Sequence, residues 1–333
     1  MMPTPKVPVT LLFADGVTQR LSVPIGTMLF EATTSAGLNL LTDCANGKCG
    51  TCTAQLVSGS VNLEEYDSAV LTDEDRAQGA VLPCICRVTA PCALEFPYDS
   101  SEAMTDEPSP LTATVISAEQ VATDIIKLEV QVDDEVNFEP GQYVRIRPMD
   151  SSITRSYSMS NVPGINQLEF FIRLVEGGEF SQWLVGAKAG DLLELSRPRG
   201  TFFLRDEDRP RLFVAGGTGI APFLSMLRVI ASQDSKHCTT VLVGARTSDH
   251  LIAMKELSEL KAKIPELRLE VATEKGTDSD CHTGYATDLI TRLNLDPRTR
   301  VYLCGPPPMV EAGRNAAMSA GLNRTDVLCE RFA

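Results

Sequence analysis

The sequence predicts three successive domains of different class: a small α+β domain, an antiparallel β-barrel, and an α/β domain built on a parallel sheet. Three observations carry this reading. The 333 residues are enough for two or three domains with separate cores. Two stretches interrupt the apolar patterning: "PYDSSEAMTDEPSP" (97–110), polar and linker-like, and "RDEDRP" (205–210), a charged run before an apolar strand. Across these breaks the pattern changes from a hairpin with a helix, to many short strands, to strands mixed with helices. The resulting limits are 1–104, 105–207 and 208–333.

In the first segment "VTLLF", the turn "ADG" and "VTQRLSV" alternate with period two and read as a hairpin, followed by a short helix from about Thr27 to near Gly37. The second holds "LTATVIS", "IIKLEVQV", "QYVRIRP", "SYSMS", "LEFFIRLV" and "DLLELSRP", a density of short strands that suits a barrel. In the third, strands "RLFVAGG", "TTVLVGA", "LRLEVAT" and "RVYLCG" are interleaved with helices "FLSMLRVIA", "HLIAMKELSELKA" and "MVEAGRNAAMSA". That is the pattern of a parallel sheet with helices on its faces.

A net charge of −14 argues against nucleic acid, whose phosphates would repel the chain. Residues 1–104 carry 12 acidic against 5 basic side chains, half of the net charge on under a third of the chain. This end either keeps the protein soluble or docks on a partner of opposite charge. No apolar run nears the roughly 20 residues that span a bilayer. The start "MMPTPKVPVT" lacks the apolar core of a signal peptide, so a cytoplasmic protein without membrane contact is expected. In that reducing compartment the ten cysteines are expected to bind metal or stay free.

Cys44, Cys49 and Cys52, with Cys84 after 31 intervening residues, have the C-x4-C-x2-C…C spacing of plant-type [2Fe–2S] ligands. Four thiolates can hold two bridged irons, and Gly47 and Gly50 let the loop wrap them. Structural zinc is the plainer use of four cysteines, but it usually shows two C-x2-C pairs. For the last ligand "VLPCIC" offers both Cys84 and Cys86. On an extended segment their side chains point the same way, and the pattern does not choose.

In the second segment Arg155 of "RSYSMS" (155–160) offers a planar fork to a pyrophosphate, Ser158 a hydroxyl, and Tyr157 a ring that could lie on another aromatic. Some twenty residues on, "IRLVEGGEFSQWL" (172–184) places Gly177 and Gly178 before a helix whose free N–H groups suit a phosphate. In the third segment Gly216, Gly217, Thr218 and Gly219 join strand to helix, where backbone can turn tightly against a pyrophosphate; Pro222 stands where the third glycine of a Rossmann motif would be. "YLCGPPPMV" (302–310) adds a second loop at the carboxyl side of the sheet, where such folds bind ligands. The plainer readings are a small residue at a strand end for Cys304 and a surface residue for the aromatic of the terminal "LCERFA".

Taken in order, these motifs resemble the reductase component of aromatic ring-hydroxylating dioxygenases of the benzoate/anthranilate type, over nearly the whole chain. The first segment is similar to a plant-type ferredoxin. That implies an α+β ferredoxin-like (β-grasp) [2Fe–2S] domain and, because the ligand there follows a "VLxC" run, Cys84 as the fourth ligand with Cys44, Cys49 and Cys52. The second resembles the FAD-binding barrel of the ferredoxin–NAD(P) reductase family, which implies FAD contacts from Arg155, Ser156, Tyr157, Ser158, Ile172, Arg173, Gly178 and Ser181. The third resembles that family's NAD domain and implies NADH contacts from Gly216, Gly217, Thr218, Gly219, Gly305 and Pro306. The resemblance also places Cys304 near the nicotinamide, Phe332 over the flavin face and Glu330 as a polar neighbour. Phthalate-type reductases, with the ferredoxin last and FMN in place of FAD, fit less well.

The implied activity carries electrons from NADH to FAD, to the cluster, and on to a Rieske-type terminal oxygenase. NADH gives two electrons at once and a cluster takes one, while a flavin can do both. Such a relay needs no general acid–base pair, in keeping with three histidines that stand outside every motif. Glu274 follows "LRLEVAT" where NADP-dependent members carry a Ser–Arg pair, so NADH is the expected donor. The reductase of a soluble di-iron monooxygenase shares the three domains and is the nearest alternative. From another class, a zinc-stabilised interaction protein without activity would be colourless, whereas flavin plus cluster is yellow-brown.

Overall fold

The computed structural model describes residues 5–103, 109–205, 207, 209–233, 237–275 and 281–332. The chain forms two units, Met1–Pro108 and Ser109–Phe332. Among the described residues no helix is long and apolar enough to cross a membrane.

In the first unit the hairpin pattern becomes β1 (Lys6–Leu12) and β2 (Thr18–Pro24), turned through Gly16 at φ +81°, where a side chain would be strained. Then come α1 (Leu29–Ser35), β3 (Ala54–Leu63), α2 (Asp73–Ala77), β4 (Ala80–Val81) and β5 (Cys86–Glu95). The sheet order is β2-β1-β5-β3-β4, with β5 parallel to β1 and antiparallel to β3. Alternate residues Val9, Leu11, Val88 and Leu94 face one core, which Leu29 of α1 covers. This is the β-grasp arrangement.

The linker expected at 97–110 is corrected over residues 97–103, which fold back on this core. Tyr98 is buried against Phe13 and Phe96, and its hydroxyl accepts from Leu41 N–H at 3.2 Å. Ser100 donates to Asp15 at 2.7 Å, and Ala103 carbonyl accepts from Asn39 N–H at 2.7 Å. Buried backbone and hydroxyl groups need such partners, and a polar stretch supplies them as well as a loose one would. The expected limit at 104/105 lies outside the described residues.

The second unit begins with β6 (Leu111–Ala122), β7 (Ile125–Val136), β8 (Tyr143–Pro148), β9 (Arg155–Ser158), β10 (Ile165–Arg173), α3 (Glu179–Gly186) and β11 (Leu192–Leu195). The antiparallel order is β10-β7-β6-β11-β8-β9. Just beyond β9, Ser160 N–H bonds to Glu169 carbonyl of β10 at 2.9 Å, which brings the two ends of the sheet together around Leu128, Ile146, Leu168 and Phe170. There follow β12 (Arg211–Gly216), α4 (Ile220–Ser232), β13 (Thr239–Ala245), α5 (Met254–Lys263), β14 (Leu267–Thr273), β15 (His282–Thr283), α6 (Ala286–Ile290), β16 (Arg300–Gly305), α7 (Pro307–Ser319) and β17 (Val327–Arg331). All pairings in this sheet are parallel, in the order β15-β14-β13-β12-β16-β17. Leu328–Arg331 of the terminal run therefore belong to a sheet strand, and half-buried Phe332 follows it. Helix α4 shares a core with barrel residues Ile125 and Phe171.

The charged run at 205–210 is an ion-pair hub. Glu207 takes Arg300 at 2.6 Å and Arg209 at 2.7 Å, and Arg209 reaches Asp326 at 2.8 Å; Asp206 and Asp208 lie outside the described residues. Hydrogen bonding from Arg300 holds the Glu207 carboxyl below its usual range, against the opposing effect of burial. A depressed folded pKa gives stability that is present above the unfolded value, roughly 4.3, and lost as pH falls through the folded one. Glu207→Gln is expected to destabilise this unit at pH 7 by about 1–3 kcal/mol, the size of the lost charge-assisted bonding, and so to lower its melting temperature. The gap to wild type should close on acidification, and a gap that persists at low pH would refute the linkage.

Candidate redox site

The loop from Cys44 to Cys52 turns through Gly47 and Gly50 at φ +74° and +82°. A Cβ on Gly47 would lie 2.9 Å from Tyr66, so only glycine lets this loop lie flat against its neighbour. The four predicted thiols come in two pairs. Cys52 Sγ is 3.1 Å from Cys84 Sγ, and Cys49 hydrogen-bonds to Cys44. Four thiols in two pairs are the donor set that a [2Fe–2S] cluster would take. The bond from Cys49, helped by backbone N–H groups of Asn46 and Lys48, pushes the Cys44 thiol down to about 5 despite partial burial. The donor set fits such a cluster.

Cys84 and Cys86 part company because Pro83–Ile85 is a tight helical turn rather than extended backbone. Cys84 packs with Cys52, Val70 and Leu71, whereas Cys86 is fully buried among Val9, Val88 and Leu94.

In the barrel, Arg155 is exposed at the start of β9, and Tyr157 packs its ring 5.2 Å from that of Phe180 in α3. Ile172 is a core residue, fully buried. Arg173 pairs with Asp124 at 3.1 Å. Gly178 is the N-cap of α3 with no side-chain cap, and Gly177 before it has open space around it. Ser181 accepts from Val175 N–H at 2.9 Å, so its hydroxyl shapes the turn. Beside it lies an open groove of about 520 Å³ lined by Leu174, Val175, Glu176, Ser181, Gln182 and Val185. An exposed fork, a flat ring and an uncapped helix start fit the phosphate and ring parts of a flavin nucleotide.

At the carboxyl end of the parallel sheet Gly216 and Gly305 stand back to back. A Cβ on Gly216 would lie 2.6 Å from Met309 Sδ, and one on Gly219 would strike Cys304 carbonyl at 2.1 Å. Gly217, at φ +56°, faces open space beside Thr218. Pro306 caps α7 on the neighbouring loop.

Three predicted residues from distant segments converge at this end. Ser158 donates to Glu330 Oε2 at 3.2 Å, and Cys304 Sγ lies 3.9 Å from the same oxygen. Burial, with the Glu330 charge beside it, pushes the Cys304 thiol well up, so it stays protonated. Phe332 N–H bonds to Gly305 carbonyl at 3.1 Å, which holds its ring against the core that contains Cys304.

Farther along the sheet edge, Glu274 and Lys275 N–H groups bond to Ala245 and Arg246 carbonyls, and the three charged side chains are exposed. Exposed Tyr285 is the N-cap of α6, and Arg228 stands as a lone arginine in the apolar run "FLSMLRVIA".

Family models match each part in turn: a 2Fe-2S iron-sulfur cluster binding domain over residues 12–89, an oxidoreductase FAD-binding domain over 112–204, and an oxidoreductase NAD-binding domain over 213–315. The fold and these centres define an iron–sulfur flavoprotein oxidoreductase that uses a nicotinamide nucleotide. The toluate 1,2-dioxygenase electron transfer component of Pseudomonas putida is 34% identical over 96% of this chain and 97% of its own. The anthranilate 1,2-dioxygenase electron transfer component of Acinetobacter baylyi is 33% identical over 97% and 96%. Among solved structures, a cytochrome P450 reductase of Amycolatopsis matches with a TM-score of 0.73 and 28% identity, over 97% of this chain and 98% of that one. The chain belongs to the family of three-domain electron transfer components of aromatic-ring dioxygenases.

Proposed function

We propose that this protein takes electrons from NADH and delivers them, by way of FAD and a [2Fe–2S] cluster, to a Rieske-type terminal oxygenase of the benzoate/anthranilate kind in the cytoplasm. The reading rests on the meeting of Ser158, Glu330 and Cys304 where barrel and parallel sheet join, in a chain that also carries a paired four-thiol loop. Bound FAD supplies the exchange between two-electron and one-electron chemistry.

The residues divide the work. Cys44, Cys49, Cys52 and Cys84 hold the cluster in a domain ending near residue 104. Arg155, Ser156, Tyr157 and Ser158, with Arg173, Gly178 and Ser181 and the backbone at Ile172, hold FAD in a domain ending near 207. Gly216 to Gly219, Gly305 and Pro306 seat the NADH phosphates. The protonated Cys304 and the Glu330 carboxylate border the nicotinamide, and Phe332 closes its place until the nucleotide arrives.

Anaerobic titration with NADH tests this reading. Uptake of about three electron equivalents per chain is expected, two at the flavin and one at the cluster; a colourless protein that takes up none would end it. The similarity to a P450 reductase keeps a monooxygenase partner as the second reading, which reconstitution with each terminal oxygenase separates.

Exposed Glu274 would face the extra phosphate of NADPH with like charge. Turnover with NADH is expected to exceed that with NADPH by about tenfold or more, and Glu274→Arg to narrow the gap. Equal turnover in the wild type would remove Glu274 from that role.

A further inference from the structure

Nine residues of α4 are buried, yet the helix also carries Arg228, whose side chain is only 24% exposed. Its Nη1 donates to Ser160 carbonyl at 2.6 Å and to Glu169 Oε1 at 2.8 Å, both on the barrel. Ser160 hydroxyl donates to the same Glu169 oxygen at 2.6 Å, and Lys127 pairs with Oε2 at 2.7 Å. Burial works against this carboxylate, but Arg228, Lys127 and Ser160 together hold it ionised.

The placement of this group is what matters. Helix α4 begins directly after the Gly217–Gly219 turn, and Arg228 sits about 12 Å along it. Ser160 is two residues beyond Ser158, which meets Glu330 beside Cys304. One end of a rigid helix therefore carries the dinucleotide turn, and a charged group farther along grips the strand end that bears Ser158. Desolvating two charges offsets part of their attraction, so a buried pair is by itself weak evidence of a role in stability. We propose that Arg228 is a positioning residue for hydride transfer, fixing the nicotinamide-binding sheet against the flavin-binding barrel. Reacting atoms must come within roughly 3–3.5 Å, and a slip of about 1 Å can cost on the order of a hundredfold in rate.

The inference rests on the NADH-to-flavin reading above, and full-length holoprotein tests it. Arg228→Met keeps the apolar stem and leaves Glu169 paired with Lys127. Stopped-flow reduction of the flavin by NADH is expected to slow by about tenfold or more, while FAD content and the NADH dissociation constant change by less than about twofold. Arg228→Lys should recover part of the rate. As a readout independent of turnover, amide exchange at Ser160 should speed up in Arg228→Met. A rate within about twofold of wild type overturns the proposal, as does a parallel loss of FAD and NADH affinity, which marks a merely structural role. Should Arg228→Met fail to fold, Glu169→Gln is judged by the same outcomes. Wild type that fails to reduce its flavin with NADH would instead overturn the function reading.

Discussion

Cys84→Ser is expected to lose or severely perturb the cluster, while FAD binding and NADH oxidation by ferricyanide survive. Cys86→Ser should keep the cluster's electron-spin signal intact. The reason is the tight turn at Pro83–Ile85, which leaves Cys84 at 3.1 Å from Cys52 and sends Cys86 into the sheet core. With Cys84 proposed as one of four thiolate ligands, its loss would leave the cluster one ligand short. Replacing Cys86 puts a hydroxyl in an apolar site, which costs about 1–3 kcal/mol of stability if it finds no partner but touches no ligand. A cluster lost in Cys86→Ser and kept in Cys84→Ser would reverse the assignment.

A chain beginning at Ser109 is expected to fold, bind FAD and pass electrons from NADH to ferricyanide at close to the full-length rate, yet to deliver almost none to the oxygenase. The barrel and the parallel sheet have cores of their own, built from residues after 109. The cut also leaves Tyr98, Ser100 and Ala103 with the first unit, whose core they complete. Ferricyanide can take electrons from reduced flavin directly, whereas the oxygenase is proposed to receive them through the cluster. Intact protein should also reduce the oxygenase more slowly as salt rises, because half of the net charge lies on residues 1–104. Oxygenase reduction by the truncated chain at the intact rate would take the first unit off the electron path.

Much of the plan was legible beforehand. The hairpin "VTLLF-ADG-VTQRLSV" and the strands of the third segment follow from periodicity, which needs only neighbours in the chain. The glycine turn at 216–219 was equally visible, because tight turns next to a strand admit few other residues. Helix α5 was read too early, from "HLIA", although it starts at Met254: Ala253 sits at φ +57°, a local break that its side chain does not advertise. Nor could composition show that 97–103 is packed, since Tyr98 earns its burial from Phe13 and Phe96, and its hydroxyl partner Leu41 is 57 residues away.

Sequence by itself determined the order of the three domains, the spacing of Cys44, Cys49 and Cys52, and the loops at Gly216 and Cys304, because each is a property of residues close along the chain. Only the tertiary structure decided which of Cys84 and Cys86 stands beside Cys52. It alone brought Ser158 to Glu330 across 172 residues and set Arg228 on Glu169 across 59. Those outcomes depend on where a remote segment comes to rest, which is set by the burial of whole cores rather than by any local preference.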